Sequence, residues 1–344
     1  MTLGRALFDR AAHLRDVPGI LDALRASEEV EVVVVRDGRA RVADGALVTT
    51  TPAEVGEAQW ALLGRRPAGT PLLVAAVDTP AESIDAAPAE TWLGLRDTGG
   101  MLDELDTEML VEAVTLAGWL RDARYCPTCG VAMEVRQSGW SRLCTECDRE
   151  HFPRTDPAVI VAVESEDGQA LLLGANAQWN GRMYSCFAGF VEAGESLETT
   201  VHREIEEEAG VRLSALRYIS SQAWPYPRSL MIGFRATASA ERAARPDGEE
   251  IIDVRWFTRA EIGSALAGDG PVGLPGPASI ARALITDWYE DRERPDRAEQ
   301  AGQGAQAAQI DVAVPSERSE SECAVPSERS ESECAVLSER SESK

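Results

Sequence analysis

The stretch GFVEAGESLETTVHREIEEEAGV, residues 189–211, decides how the rest of the chain is read. Ser196 is an N-cap residue and Gly210 a helix stop, so a helix is predicted over residues 196–209. At about 100° per residue, Leu197, Val201, Ile205 and Ala209 share one apolar stripe that a core must cover. Glu204 and Glu208 lie one turn apart at the edge of that stripe, and Glu207 lies about a quarter-turn further round. The three carboxylates are expected to converge on one rim, where like charges repel. A hard divalent cation with oxygen ligands removes the repulsion. Such an ion neutralises phosphate oxygens and lowers the pKa of a bound water. Arg203 is expected to pair with Glu195 and hold the carboxylates in place. Glu206 and His202 point away and read as solvated surface. A solvated acidic helix would also show carboxylates. The glycines and the arginine at fixed spacing favour chemistry.

Outward from this helix, residues from 153 to about 293 read as a mixed region. Strands are predicted at 158–163, 170–173, 217–221, 230–237 and 252–257, and a last helix at 279–289. Cys186 sits alone in an apolar run and reads as a small buried hydrophobe. Before this region come Cys126-Pro-Thr-Cys129-Gly and Cys144-Thr-Glu-Cys147, two knuckles separated by fourteen residues. Four thiolates at this spacing suit a closed, structural tetrahedral zinc site. His151 is a spare ligand, unnecessary beside four cysteines, and reads as a surface or packing histidine.

Residues 1 to about 100 read as strand-rich, with runs at 29–36 (EVEVVVVR) and 71–77 (PLLVAAV). A helix is predicted from 102 to about 123, with Leu105, Met109, Glu112, Leu116 and Leu120 roughly on one side and Asp103 or Asp106 as its cap. From about residue 294 the composition turns to Gln, Ala, Ser and Glu. VPSERSESECA at 314–324 recurs at 325–335, with a decayed copy from Val336. Such repeats cannot bury a core, so this tail, with Cys323 and Cys334, is expected to be disordered and dispensable.

The chain has 344 residues and a net charge of −24. The tail holds 11 acidic and 6 basic residues, so most of the acidity belongs to the part expected to fold. That surface repels nucleic-acid phosphates, and an anionic substrate needs a metal or a local Arg cluster. Nothing in the first residues reads as a signal peptide, and no run approaches the ~18 apolar residues of a membrane span. A cytoplasmic protein without a membrane partner is expected, and there paired CxxC units mean metal more often than disulfide.

Downstream of the helix stands SQAWPYPRS, residues 221–229. Trp224 and Tyr226, flanked by prolines, offer a ledge for a flat base. Gln222, Arg228 and Ser229 offer hydrogen bonds to ribose or phosphate.

Gly189, Glu195, Arg203, Glu204, Ile205, Glu207, Glu208, Gly210 and Val211 fill every fixed position of the Nudix signature. Together with the ribbon and the 221–229 segment they resemble the NADH pyrophosphatase (NAD diphosphatase) family of Nudix hydrolases over about residues 90–290. Ala223 stands where that family has Pro, and Tyr226 where it has Phe. The resemblance implies an α+β protein: an N-terminal mixed domain (1–123), a zinc ribbon (124–152), a Nudix α/β/α sandwich (153–293), then the disordered tail (294–344). It implies hydrolysis of NADH or NAD to nicotinamide mononucleotide and AMP, removal of NAD caps from RNA 5′ ends, and a homodimer. Mg²⁺ or Mn²⁺ would be held by Glu204, Glu208, the carbonyl of Ala188 and Glu250, with Glu249 one residue out of register and Glu207 as ligand or base. Substrate contacts would fall on Arg96, Phe152, residues 222–229 (with Pro225 and Pro227) and Ala281. Phe152 stands where the family often has Tyr. Two other readings fit single motifs: a Nudix hydrolase of another nucleoside diphosphate such as ADP-ribose, and a non-catalytic zinc-ribbon RNA-binding module.

Overall fold

The computed structural model describes residues 7–78, 90–179, 182–238 and 244–291. The repeat tail, with Cys323 and Cys334, lies outside them. The fold is α+β, as the sequence implies.

The first sheet is built from β1 (Glu31–Arg36), β2 (Arg39–Ala43), β3 (Ala46–Leu47), β4 (Gln59–Arg65), β5 (Pro71–Ala76) and β6 (Thr91–Leu93), following a short α1 (Ile20–Arg25). Its order is β3-β2-β1-β5-β4, with β6 on β2; β1 and β5 are parallel. The valine run of β1 is continuous because both faces are covered. Val33 and Val35 face a core completed by α3 (Glu104–Asp122), while Val32 and Val34 face a second core that takes in Leu21 and Leu24 of α1. Between β6 and α3 lies the one-turn α2 (Leu95–Thr98). Asp103 caps α3, accepting from the Asp106 N–H at 2.8 Å. Asp106 turns aside to accept from the Leu47 N–H, also at 2.8 Å.

The ribbon carries three short strands, β7 (Glu134–Arg136), β8 (Ser141–Leu143) and β9 (Glu150–His151), joined in that order. Its two knuckles repeat one turn. Gly130 N–H bonds to Cys126 O and Asp148 N–H to Cys144 O, and both turn residues are left-handed, at φ 73° and 55°.

The second sheet holds β10 (Asp156–Glu164), β11 (Ala170–Asn176), β12 (Phe187–Phe190), β13 (Leu213–Trp224), β14 (Ser229–Ala238) and β15 (Ile251–Thr258). The order is β13-β14-β10-β11-β15, with β12 on β10 and a parallel β10–β14 pair. Val159, Val161 and Val163 of β10 pack under α4 (Leu197–Ala209). Ile160 and Ala162 pack on the opposite face, under α5 (Arg259–Ala267) and α6 (Ile280–Glu290). This is the α/β/α sandwich. Strands β4 and β12 and helix α5 are not singled out by sequence patterning.

Candidate active site

Helix α4 runs from its Ser196 cap, which accepts from the Thr199 N–H, to Gly210 in the left-handed conformation at φ 65°. Val201, Ile205 and Ala209 are fully buried in the core. Arg203 is the hub of the polar side. Its five N–H donors, the full capacity of a guanidinium, meet five acceptors. Two go to Glu195 at 2.7 and 2.8 Å, one to Glu204 at 2.8 Å, one to Glu207 at 3.2 Å, and one to the Phe190 carbonyl at 3.0 Å. The Arg203 pair, with the Glu192 N–H, holds the Glu195 carboxyl far below the usual range, at about 2. Gly189 is required by the same packing: a Cβ there would overlap the Glu204 carboxylate.

Glu208 is the outlier. It is buried, and its Oε2 has no hydrogen-bond partner. Burial, then the neighbouring Glu204 and Glu250 charges, push its carboxyl up to about 8 against one opposing bond from the Ala188 N–H. Burial also raises Glu204, with Glu207 and Glu250 adding to it. Glu250, and not Glu249, is the carboxylate that bears on both. Asp247 sets it there, its Oδ1 accepting from the N–H groups of Glu249 and Ile251, each at 2.9 Å. A buried, unpartnered carboxyl oxygen that burial and two neighbouring carboxyl groups make hard to ionise fits a hard divalent cation, which would relieve both.

The expected convergence on one rim is only partly present. Glu207 is mostly exposed, with its carboxylate folded onto Arg203. Among the described residues, the four cysteines form the only group of three or more such side chains whose ligand atoms all lie within 4.8 Å of one another. Sγ of Cys126 and Cys147 are 3.9 Å apart, close to the ~3.8 Å edge of a ZnS₄ tetrahedron. Cys129 and Thr128 N–H groups help draw the Cys126 thiol down to about 6. His151, read as a surface or packing residue, has Nε2 3.7 Å from the Cys126 Sγ.

The 221–229 segment ends β13, turns, and begins β14. Trp224 is half-buried, and the Arg96 guanidinium stands 5.5 Å over its ring. Ala223, Pro227 and Arg228 are exposed, and Arg228 pairs with Asp156 at 2.9 Å. Three residues of this segment are placed differently from the sequence reading. The Gln222 amide is consumed internally, donating to Ala278 O at 2.7 Å and accepting from the Ile280 N–H at 2.8 Å, so it ties the loop to the start of α6. Ser229 is buried in strand pairing. Tyr226, expected as a ledge, packs against the core of the first sheet, and its hydroxyl bonds to the backbone of Leu95 at the start of α2 and of Gly38 between β1 and β2. Pro225 and Ala281 are buried, and Phe152 is exposed just past β9. Cys186 is buried beside the Ala281 carbonyl, and burial pushes its thiol up to about 12.

Sequence reasoning missed Phe190 and Asp247. Phe190 is 54% exposed, and it shares one cross-strand row with Ala158, Met231 and Gln222. Asp247 precedes a glycine, an Asp-Gly turn signal that sequence alone offers. A cleft of 640 Å³ between Arg182, Leu266, Val272 and Arg282 contains none of these residues.

A carboxylate-lined helix under the mixed sheet of an α/β/α sandwich defines the class of Nudix hydrolases, and the NUDIX domain family matches residues 154–273. The NADH pyrophosphatase zinc ribbon domain matches residues 121–152. The NAD-capped RNA hydrolase NudC of Mycobacterium tuberculosis is 39% identical over 222 residues, 62% of this chain and 68% of that protein. The human NAD-capped RNA hydrolase NUDT12 is 36% identical over 197 residues, 54% of this chain and 42% of that one. A Nudix hydrolase structure from Nitrosomonas europaea has a TM-score of 0.38 at 24% identity, covering 49% of this chain and 92% of its own. The chain belongs to the zinc-ribbon Nudix family that contains these NAD-capped RNA hydrolases.

Proposed function

We propose that this protein hydrolyses the diphosphate bond of NADH and NAD, giving the nicotinamide mononucleotide and AMP, and removes NAD caps from RNA 5′ ends. The observation that carries the catalytic part is the buried, unpartnered Oε2 of Glu208 between Glu204 and Glu250. The ribbon and the printed names of the relatives narrow the substrate.

Glu204, Glu208 and Glu250, with the Ala188 carbonyl, are the residues that would hold Mg²⁺ or Mn²⁺. When bound, the ion supplies charge neutralisation on phosphate and a lower pKa for the attacking water. Arg203 keeps Glu195 ionised and holds Glu195 and Glu204 in place by its bidentate and single bonds. Glu207, exposed on the same helix, serves as further ligand or as the base that takes the water proton. Arg96 and Trp224 provide charge and an aromatic face to the dinucleotide, and Phe190 and Phe152 are exposed rings for a base. The four cysteines would hold one structural Zn²⁺. The division at residues 123/124, 152/153 and 293/294, a homodimer and a cytoplasmic location complete the reading. No helix among the described residues is long and apolar enough to cross a membrane.

The test is a product assay on NADH, NAD, ADP-ribose and NAD-capped RNA, with Mg²⁺ and Mn²⁺ in parallel. Nicotinamide mononucleotide and AMP from the dinucleotides are expected. Faster cleavage of ADP-ribose, or RNA affinity without metal-dependent hydrolysis, would overturn the proposal.

A further inference from the structure

The hydroxyl of Tyr226 belongs to the 221–229 loop, yet it is spent on the first sheet. It accepts from the Leu95 N–H at 2.7 Å and donates to the Gly38 carbonyl at 3.3 Å. Gly38 lies between β1 and β2, and Gly94 is the N-cap of α2. Gly94 has φ −93°, a conformation open to any residue. A Cβ there would nevertheless come within 2.6 Å of the Tyr226 hydroxyl, with Gly38 O and the ring Cζ next at 3.5 Å. The steric demand for glycine at position 94 is therefore made by one oxygen from a segment more than a hundred residues away in sequence.

That oxygen stands at a junction. Helix α2 carries Arg96, whose guanidinium lies 5.4 Å over the Tyr226 ring and 5.5 Å over Trp224. The two rings meet edge to face at 5.7 Å. Arg96 lies on the helix that follows β6 of the first sheet and Trp224 at the end of β13 in the second, so their relative position depends on what joins α2 to the loop. A phenyl ring here could neither accept from Leu95 nor donate to Gly38.

We infer that Tyr226 is a positioning residue: its hydroxyl pins α2 to the 221–229 loop, so that Arg96 and Trp224 form one wall against the dinucleotide. The inference rests on reading 221–229 as the substrate loop. Tyr226 touches no reacting atom in this scheme. Its contribution is pre-organisation, which lowers the ordering cost of binding and leaves the chemical step alone.

The experiment uses the full chain with NADH and saturating Mg²⁺. Tyr226→Phe should raise KM about two- to tenfold, the worth of one or two net hydrogen bonds, with kcat held within about twofold. Gly94→Ala should do the same by displacing the hydroxyl. In the double variant the alanine should add nothing, because the nearest remaining atoms are at 3.5 Å. Hydrogen exchange at the Leu95 amide should accelerate in Tyr226→Phe, a readout independent of turnover. Unchanged exchange at Leu95, additive effects of the two substitutions, an unchanged KM, or a fall in kcat in place of the KM rise would each overturn the inference. If the wild-type chain cleaves no dinucleotide, the functional reading fails first. Leu95 exchange and the additivity of the unfolding midpoints then decide the pin by themselves.

Discussion

At the scale of single residues, the site is a balance between one guanidinium and several carboxylates. Arg203 satisfies Glu195, Glu204 and Glu207, and Glu208 is left over. Ionising a buried carboxyl without a partner is costly in the metal-free protein. Glu208→Gln should therefore cut turnover by about two orders of magnitude or more and weaken Mn²⁺ binding, while the metal-free unfolding midpoint does not fall. Glu207→Gln should cut turnover similarly and leave the fold intact, since its side chain is mostly exposed. Wild-type-like turnover in both variants would remove the helix from the mechanism. Gly189→Ala tests the packing: the new methyl displaces the Glu204 carboxylate, so Mn²⁺ affinity measured by electron paramagnetic resonance should drop even where the protein remains folded. The Nudix positions were legible from the sequence because their spacing is local to one helix. The inward turn of Tyr226 and the occupation of the Gln222 amide were not, because both depend on partners far along the chain.

At the scale of elements, α3 carries an acid where its apolar stripe demands a hydrophobe. Glu112 is buried with both carboxyl oxygens lacking a hydrogen bond, although Arg10 lies 3.1 Å away as an ion-pair partner. Burial outweighs Arg10 and Arg15 and pushes its carboxyl from 4.5 up to about 7. The folded state then binds more protons than the unfolded chain between those values, so this contribution is full below the unfolded pKa and is lost as pH rises through the folded one. The urea midpoint should fall between about pH 5 and 8, and Glu112→Gln should flatten that slope. Parallel slopes in both proteins would show that another group is responsible. The ribbon offers a second test: Cys144→Ser should lose bound zinc and loosen residues 124–152, read as zinc content and amide exchange. The two knuckles are visible in sequence as CxxC pairs. Their shared left-handed turn is visible only in part, since Gly130 advertises it and Asp148 does not.

Over the whole molecule, the charge of −24 sets the terms on which anions arrive. Nucleic-acid binders built on basic patches lose affinity with salt. Here the long-range field repels the substrate, and added salt screens that repulsion. Between about 50 and 200 mM salt, kcat/KM for NAD-capped RNA should rise relative to that for NADH, because the RNA carries more phosphates into the same field. A steep fall for the RNA alone would point to a basic track that overrides the net charge. The fold at this scale was half legible. The apolar runs of β1 and β10 announced strands, while β4 and β12 did not stand out, since a strand in an apolar stretch has no period of its own.

The sequence by itself determined the chemistry: nine signature positions in one helix and its flanks, and four cysteines in two knuckles, are short-range patterns whose spacing is their meaning. Tertiary structure alone decided which carboxylate is stranded, which of Glu249 and Glu250 faces it, and that the aromatic loop is held from the other sheet by Tyr226. Burial and long-range hydrogen bonds arise only when distant segments meet, and no local period in the chain encodes them.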